Sequence, residues 1–471
     1  MPLINFSGIA SGIDAESLIS ATTEATRTTR VQPLEDKVTE TTETNDALSE
    51  LKTKLLTLKS ALQDITTSSG GALVKQVTSS SETFITASAA SSATNGTYTV
   101  SVDSGAKAKN GVKALYDVGG DDWISLSSLA RGGSTLTSAP NNEITVTVGG
   151  EATTIEVTNT MTIADLVSEF NANNTKGVMS AVNVGTSASP QYRLMVTAFN
   201  TGAVNGAVSI SAGSDFNTFL TQTAGQASSD STFDVSGVAT GITREKNTVT
   251  DIIPGITFNL QSEPTTPTDV TLTVSDDISA SASKVKKFVD AWNDIVAFVN
   301  ENNLVSREES GDSVSNIFAA LSKTRIDDNA LTNIRGALSA ARAEDGSAVR
   351  IFADIGITTE RDGTLKFDED TFESAVNNEA DSVNQLLMTF ADTMATTGGT
   401  IDQYTGFNRL IDTARQSNDE LISNYNSRIA ELEKQITKTE ENMRARFARL
   451  ESTVGRLQQQ QSALTSALAG L

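Results

Sequence analysis

Any catalysis in this chain would have to come from carboxylates, because its 471 residues contain neither histidine nor cysteine. Without imidazole there is no Ser-His-Asp triad, no HExxH zinc site and no general base of the usual kind near neutral pH. Without thiols there is no disulfide framework, iron–sulfur cluster, thiolate zinc site or cysteine nucleophile. A carboxylate-only glycosidase passes this filter. Its candidates are the pairs Asp121-Asp122, Asp276-Asp277 and Asp327-Asp328 and the run Asp368-Glu369-Asp370. Neighbours on a strand point to opposite faces, so none of these forms a facing acid and base. They read instead as solvated loop and helix-capping residues. DGTLKFDED lacks the ligand spacing of a calcium loop, and neither a Walker A nor a GxSxG motif occurs. The sequence predicts no enzyme, no cofactor and no metal.

Charge narrows the partners. The 58 acidic residues outnumber the 35 basic ones, for a net charge of −23. No window is densely basic, which argues against nucleic acid, and the charge opposes an anionic membrane surface. The first cation is Arg27, so MPLINFSGIASGID has no cationic leader, and its apolar residues are too interrupted for a secretory core. No apolar run approaches the ~20 residues of a membrane helix. Conventional rules predict a soluble, cytoplasmic chain, unless export uses a route that reads no such leader.

The elements that would position partners fall into three regimes. Residues 1 to about 76 lack strand runs and become helical from Pro33, and residues 77 to about 275 are rich in Thr, Ser, Val, Gly and Asn. The remainder is helical again, and a β-rich insertion in a helical frame is the expected arrangement. EITVTV and EATTIEV, separated by Gly149-Gly150, predict a hairpin. MTIADLVSEFNAN predicts a short helix with Ile163, Leu166, Val167 and Phe170 on one face. Val285, Phe288, Val289, Trp292, Val296 and Val299 predict an amphipathic helix with Ser283 as N-cap. Two more helices are expected around Leu331 and from Phe372 to Phe390, with a hairpin turning at Asp362-Gly363 between them.

The strongest physical signal lies at the two ends. Apolar positions from Tyr404 through Phe407 and Ile411 to Leu471 recur with a mean step of about 3.5 residues, the coiled-coil period. No proline interrupts them, so the sequence predicts one helix roughly 100 Å long. A matching seam runs from Leu34 through Asn45 to Ile65. One narrow seam buries too little to hold such a helix alone, so the termini are expected to pack on each other, on other subunits, or both. The assembly or partner-binding residues are Leu34, Val38, Leu48 and Leu55 on the N-terminal seam. Their C-terminal counterparts are Leu432, Ile436, Met443, Phe447, Leu450, Val454, Leu457, Leu464 and Leu468. SATTEATRTTRV offers no apolar face after Leu18 and Ile19, and residues 1–32 are expected to become ordered only on a partner.

Several stretches, in order along the whole chain, resemble the flagellar filament-capping family (FliD, flagellar hook-associated protein 2). They are GIASGIDAESLI with PLEDK; VTDIIPGITFNLQ, TLTVSDD and VKKFVDAWNDIV; FADIGITTERDGTLKFDEDTF; and the closing coil, with Glu440, Met443, Phe447, Leu450 and Glu451 in the family's pattern. ITVTVGGEATTIEV and TIADLVSEFNAN resemble a repeat module shared with flagellins. The family usually has apolar residues where this chain has SATTEATRTTR.

The resemblance implies an α+β multidomain fold. It comprises a terminal α-helical coiled coil (1–40, 405–471), a helical leg (41–76, 275–404), an inner β-rich head (77–111, 232–274) and an outer β-rich head (112–231). It also implies a mechanical role: a homo-oligomeric plate, most often a pentamer, at the filament tip, beneath which exported flagellin folds and inserts. Its implied partners are flagellin, the hook–filament junction proteins and an export chaperone, with secretion through the flagellar type III apparatus. The alternatives are a hook–filament junction or flagellin-like protein, or an adhesin binding host glycans through the heads. Trp123 is the aromatic that would stack on a sugar.

Overall fold

The computed structural model describes residue 12 and residues 14–109, 114–118, 136–158, 160–188, 192–216, 220–310, 313–343 and 346–469. Its helices are α1 (Ala15–Thr26), α2 (Gln32–Gln63), α3 (Ile163–Asn173), α4 (Ile278–Asn302), α5 (Ile326–Ala340), α6 (Glu369–Ala395), α7 (Thr400–Thr405) and α8 (Leu410–Ala469). The fold is α+β and multidomain. One compact unit comprises Met1–Ala72 with Ile278–Leu471, and the other is Leu73–Asp277.

The second unit is antiparallel β. A five-stranded sheet runs in the order Val74–Ser79, Thr268–Asp277, Gly96–Val102, Ser231–Val235, Ala239–Arg244. It shares one apolar cluster with the strands Ile85–Ala89 and Ile256–Leu260, in which Phe233 and Phe258 meet edge to face at 5.3 Å. A second cluster is built by the hairpin Glu143–Val148/Glu151–Glu156, the strands Gly177–Asn183 and Tyr192–Ala198, and α3. Ile163, Leu166 and Phe170 of α3 are fully buried in it. Thr162 and Asp165 cap that helix reciprocally, each side chain accepting from the other's backbone N–H.

In the first unit, α2 presents a row of leucines, and Leu48, Leu51, Leu55 and Leu58 are all wholly buried. Phe288, Phe352 and Phe390 cluster with ring centroids 5.1–6.5 Å apart. The GITTERDGTLKF segment is held by α4. Trp292 Nε1–H donates to the Gly363 carbonyl at 3.0 Å, and Asn293 makes hydrogen bonds of 2.8 and 2.7 Å with both backbone groups of Leu365. Gly363 has φ +89°, and a Cβ there would run into the Arg335 guanidinium. These constraints account for a fixed Asp-Gly at this turn.

Four local expectations need correction. Residues 15–32 are helical rather than waiting on a partner: α1 leads through a π-helical turn, Arg27–Val31, into α2. The sequence looked too polar because its threonines satisfy themselves. Thr22, Thr26 and Thr29 donate their hydroxyls to carbonyls four residues back, while Ile19 and Val31 are buried at 2% exposure. The long C-terminal helix is also not continuous from Tyr404. It breaks at Gly406 and at Asn408, whose φ of 53° is left-handed, and Phe407 is 87% exposed. Helix α4 starts at Ile278, so Ser283 is not its cap. Finally, the helical region holds a second hairpin, Val305–Ser310/Ser313–Phe318, beyond the single one expected, and Gly311-Asp312 between its strands is the turn signal that marks it.

Candidate partner interface

Helices α1 and α2 run antiparallel to α8. Lys52 meets Asp412 at 2.5 Å, Asn45 meets Asp419 at 2.7 Å and Arg27 meets Glu433 through two 2.9 Å bonds, while Glu16 reaches Arg444. The steps match within each stretch, 7 against 7 along α2 and 11 against 11 along α1, but the 18 residues from Asn45 to Arg27 oppose only 14 from Asp419 to Glu433, a four-residue shift in the stretch that contains the π-helical turn. The hydrogen bond from Lys52 holds the Asp412 carboxyl below the usual carboxylate range, and that from Arg27 does the same for Glu433. Exposed pairs of this kind contribute little each. The apolar seam carries the energy.

The structure does not treat the seam residues alike. Leu48 and Leu55 are wholly buried and Ile436 is 4% exposed. Leu34, Val38, Leu432, Met443, Phe447 and Val454 are half-buried. Leu450, Leu457, Leu464 and Leu468 are 42%, 58%, 64% and 66% exposed. The change comes near Arg444, beyond the last contact of α1. From there to Ala469 the stripe continues at coiled-coil spacing with no partner helix among the described residues. The N-terminal partner is therefore longer than the expected 34–65, and the uncovered part of α8 is correspondingly shorter.

The carboxylates singled out in the sequence do not converge. Asp276 pairs with Lys75 at 2.7 Å, and Asp368 caps α6 by accepting from Thr371 N at 2.8 Å. Asp327 and Asp328 diverge: Asp328 is exposed, whereas Asp327 is 0% exposed, not the solvated residue expected. Thr324 Oγ1 donates to Asp327 Oδ1 at 3.1 Å, and Oδ2 has no partner. Asp121, Asp122 and Trp123 lie outside the described residues.

Burial pushes the Asp327 carboxyl up from 3.8. With the folded pKa above the unfolded one, its penalty is absent below the unfolded value and complete above the folded one. Asp327→Asn, which keeps the acceptor for Thr324, is expected to raise stability at pH 7 by about 1–2 kcal/mol. The gain should shrink as pH falls toward 4. Thermal melts of both proteins at several pH values check this, and a pH-independent loss of stability would contradict it.

Residues 11–109 match the family model for the N-terminus of flagellar hook-associated protein 2, and residues 228–459 match the model for its C-terminus. The A-type flagellar hook-associated protein 2 of Pseudomonas aeruginosa is 25% identical across 98% of this chain and 97% of its own length. The B-type protein of the same species, strain PAO1, is 26% identical across 96% and 92%. The fold is shared with the D1-D2-D3 domains of the flagellar cap protein FliD from Escherichia coli, at a TM-score of 0.60 and 21% identity, over 79% of this chain and 99% of that one. Models of one protein match both ends, and its relatives align along nearly the whole length: the chain belongs to the flagellar hook-associated protein 2 family.

Proposed function

We propose that the chain caps the distal end of a bacterial flagellar filament as a homo-oligomeric plate, a pentamer by family resemblance, that guides exported flagellin into place and prevents its loss. The observation that carries this reading is the row Leu450, Leu457, Leu464 and Leu468, left uncovered at the end of a long helix in a chain of this family. An exposed apolar row on a helix is the usual sign of a partner helix still to come. Flagellin at the filament end supplies such helices. In this reading residues 1–40 and 405–471 form the inserted coil, 41–76 and 275–404 the leg, 77–111 and 232–274 the inner head and 112–231 the outer head. The seam residues from Leu34 to Leu468 mediate assembly, partly within the chain and partly with partners.

The absence of cysteine suits passage through a narrow export channel in an unfolded state, since no disulfide can hinder it. Export through the flagellar type III apparatus is the route this reading requires. Hook–filament junction proteins and an export chaperone complete the partners. The test is genetic and direct. Cells lacking the gene should release flagellin monomer and swim poorly, and the purified chain added back should be seen by electron microscopy as a plate on filament ends. Filaments of normal length without it would refute the proposal.

A further inference from the structure

The α2–α8 seam buries a polar residue near its centre. Asn45 is 6% exposed and shares the buried side of α2 with Leu48, Leu51, Leu55 and Leu58, and its opposite number on α8 is Asn418, which also interrupts the apolar repeat. Asn418 Nδ2 donates to Asn45 Oδ1 at 2.9 Å, and Asn45 Nδ2 donates to Asp419 Oδ1 at 2.7 Å. The amide of Asn45 is thus satisfied at both ends by α8 in this register.

A leucine ladder repeating every seven residues is nearly self-similar. Sliding α8 by one heptad, about 10 Å, would again set apolar residues against apolar residues. The surface ion pairs Arg27–Glu433 and Glu16–Arg444 are exposed and weak discriminators. What a slip cannot preserve is the amide pair: Asp412 or Asn426 would replace Asp419 as acceptor, but Asn45 Oδ1 would face Ile411 or Tyr425 in place of the Asn418 amide. We infer that Asn45 and Asn418 form a register lock. Their role is to specify one alignment of the terminal helices, at some expense in stability, and so to fix which part of α8 projects beyond α1. A slip of one heptad would cover or uncover a further turn or two of the leucine row. That consequence rests on the capping reading; the lock does not.

The chain has no cysteine, so pairs of introduced thiols report register directly. Arg27→Cys with Glu433→Cys reports the observed alignment. Arg27→Cys with Glu440→Cys, or with Asn426→Cys, reports a slip of one heptad either way. On the unaltered seam only the first pair should cross-link under mild oxidation. With Asn45→Leu and Asn418→Leu added, the slipped pairs should cross-link about tenfold more than before. Moving the lock one heptad outward along the same alignment, by further adding Val38→Asn and Tyr425→Asn, should confine cross-linking to Glu433→Cys again.

If the leucine variant keeps the observed alignment alone, or merely melts at a lower temperature with an unchanged cross-link pattern, the inference is wrong. If the leucine variant does not fold, the relocated pair decides: one alignment supports the lock, and slipped cross-links overturn it. These readouts use purified protein. A slipped variant that still supports swimming would therefore count against the placement of capping on the leucine row, and not against the lock.

Discussion

Cells whose chain carries Leu450→Asp together with Leu457→Asp should export the protein, retain its β-sheet signal, fail to swim and leak flagellin into the medium. Both side chains are about half exposed, at 42% and 58%, so charging them in the free monomer should change stability by no more than about 0.5 kcal/mol each. Against a partner helix the same carboxylates would be buried without counter-charges, costing about several kcal/mol in that interface. The effect is therefore expected to fall on assembly and to spare the fold. A circular dichroism spectrum and melting curve matching those of the unaltered protein would establish the second half. Swimming assays and immunoblots of the medium would establish the first. Normal filaments from the double variant would show that this end of α8 touches nothing that capping needs.

The opposite result is expected one segment away on the same pattern. Leu55→Ala should destabilise the helical unit by about 2–5 kcal/mol, because Leu55 has 0% exposure and its removal leaves a cavity in a packed seam. For a unit of this size that corresponds to a fall in melting temperature on the order of 10 °C, read from the helical signal at 222 nm. Leu457→Ala should shift the same transition by less than about 0.5 kcal/mol. Equal effects from the two substitutions would mean that the C-terminal stripe is covered within the chain itself, and the row would then lose its standing as a free surface.

Periodicity and residue type were enough to read much of the architecture. The 3.5-residue recurrence requires a narrow seam and hence an antiparallel or intermolecular partner, since one stripe cannot hold a long helix alone. Gly149-Gly150 between alternating runs marks a hairpin, and Asp362-Gly363 another, because each turn needs residues that accept positive φ. The lack of His and Cys removed whole classes of chemistry before any fold was known. Motifs spread in order along the chain pointed to the family.

Other features required the tertiary structure. The pattern treats Leu55 and Leu457 as equivalent seam positions, and burial differs because, among the described residues, the N-terminal helices reach along α8 only as far as Arg444, where α1 begins. That endpoint depends on residues hundreds of positions apart. SATTEATRTTRV reads as unsupported in isolation, yet it is helical, because its hydroxyls bond inward and α1 packs along α8, with Ile19 buried and Arg27 meeting Glu433. The break at Gly406–Asn408 is hidden in the sequence by a repeat that continues across it. Asp327 and its neighbour have the same chemistry, and only packing places one inside and the other in water. A heptad states which face of a helix is apolar; how far that face is covered, and by what, is decided by where its partners begin and end.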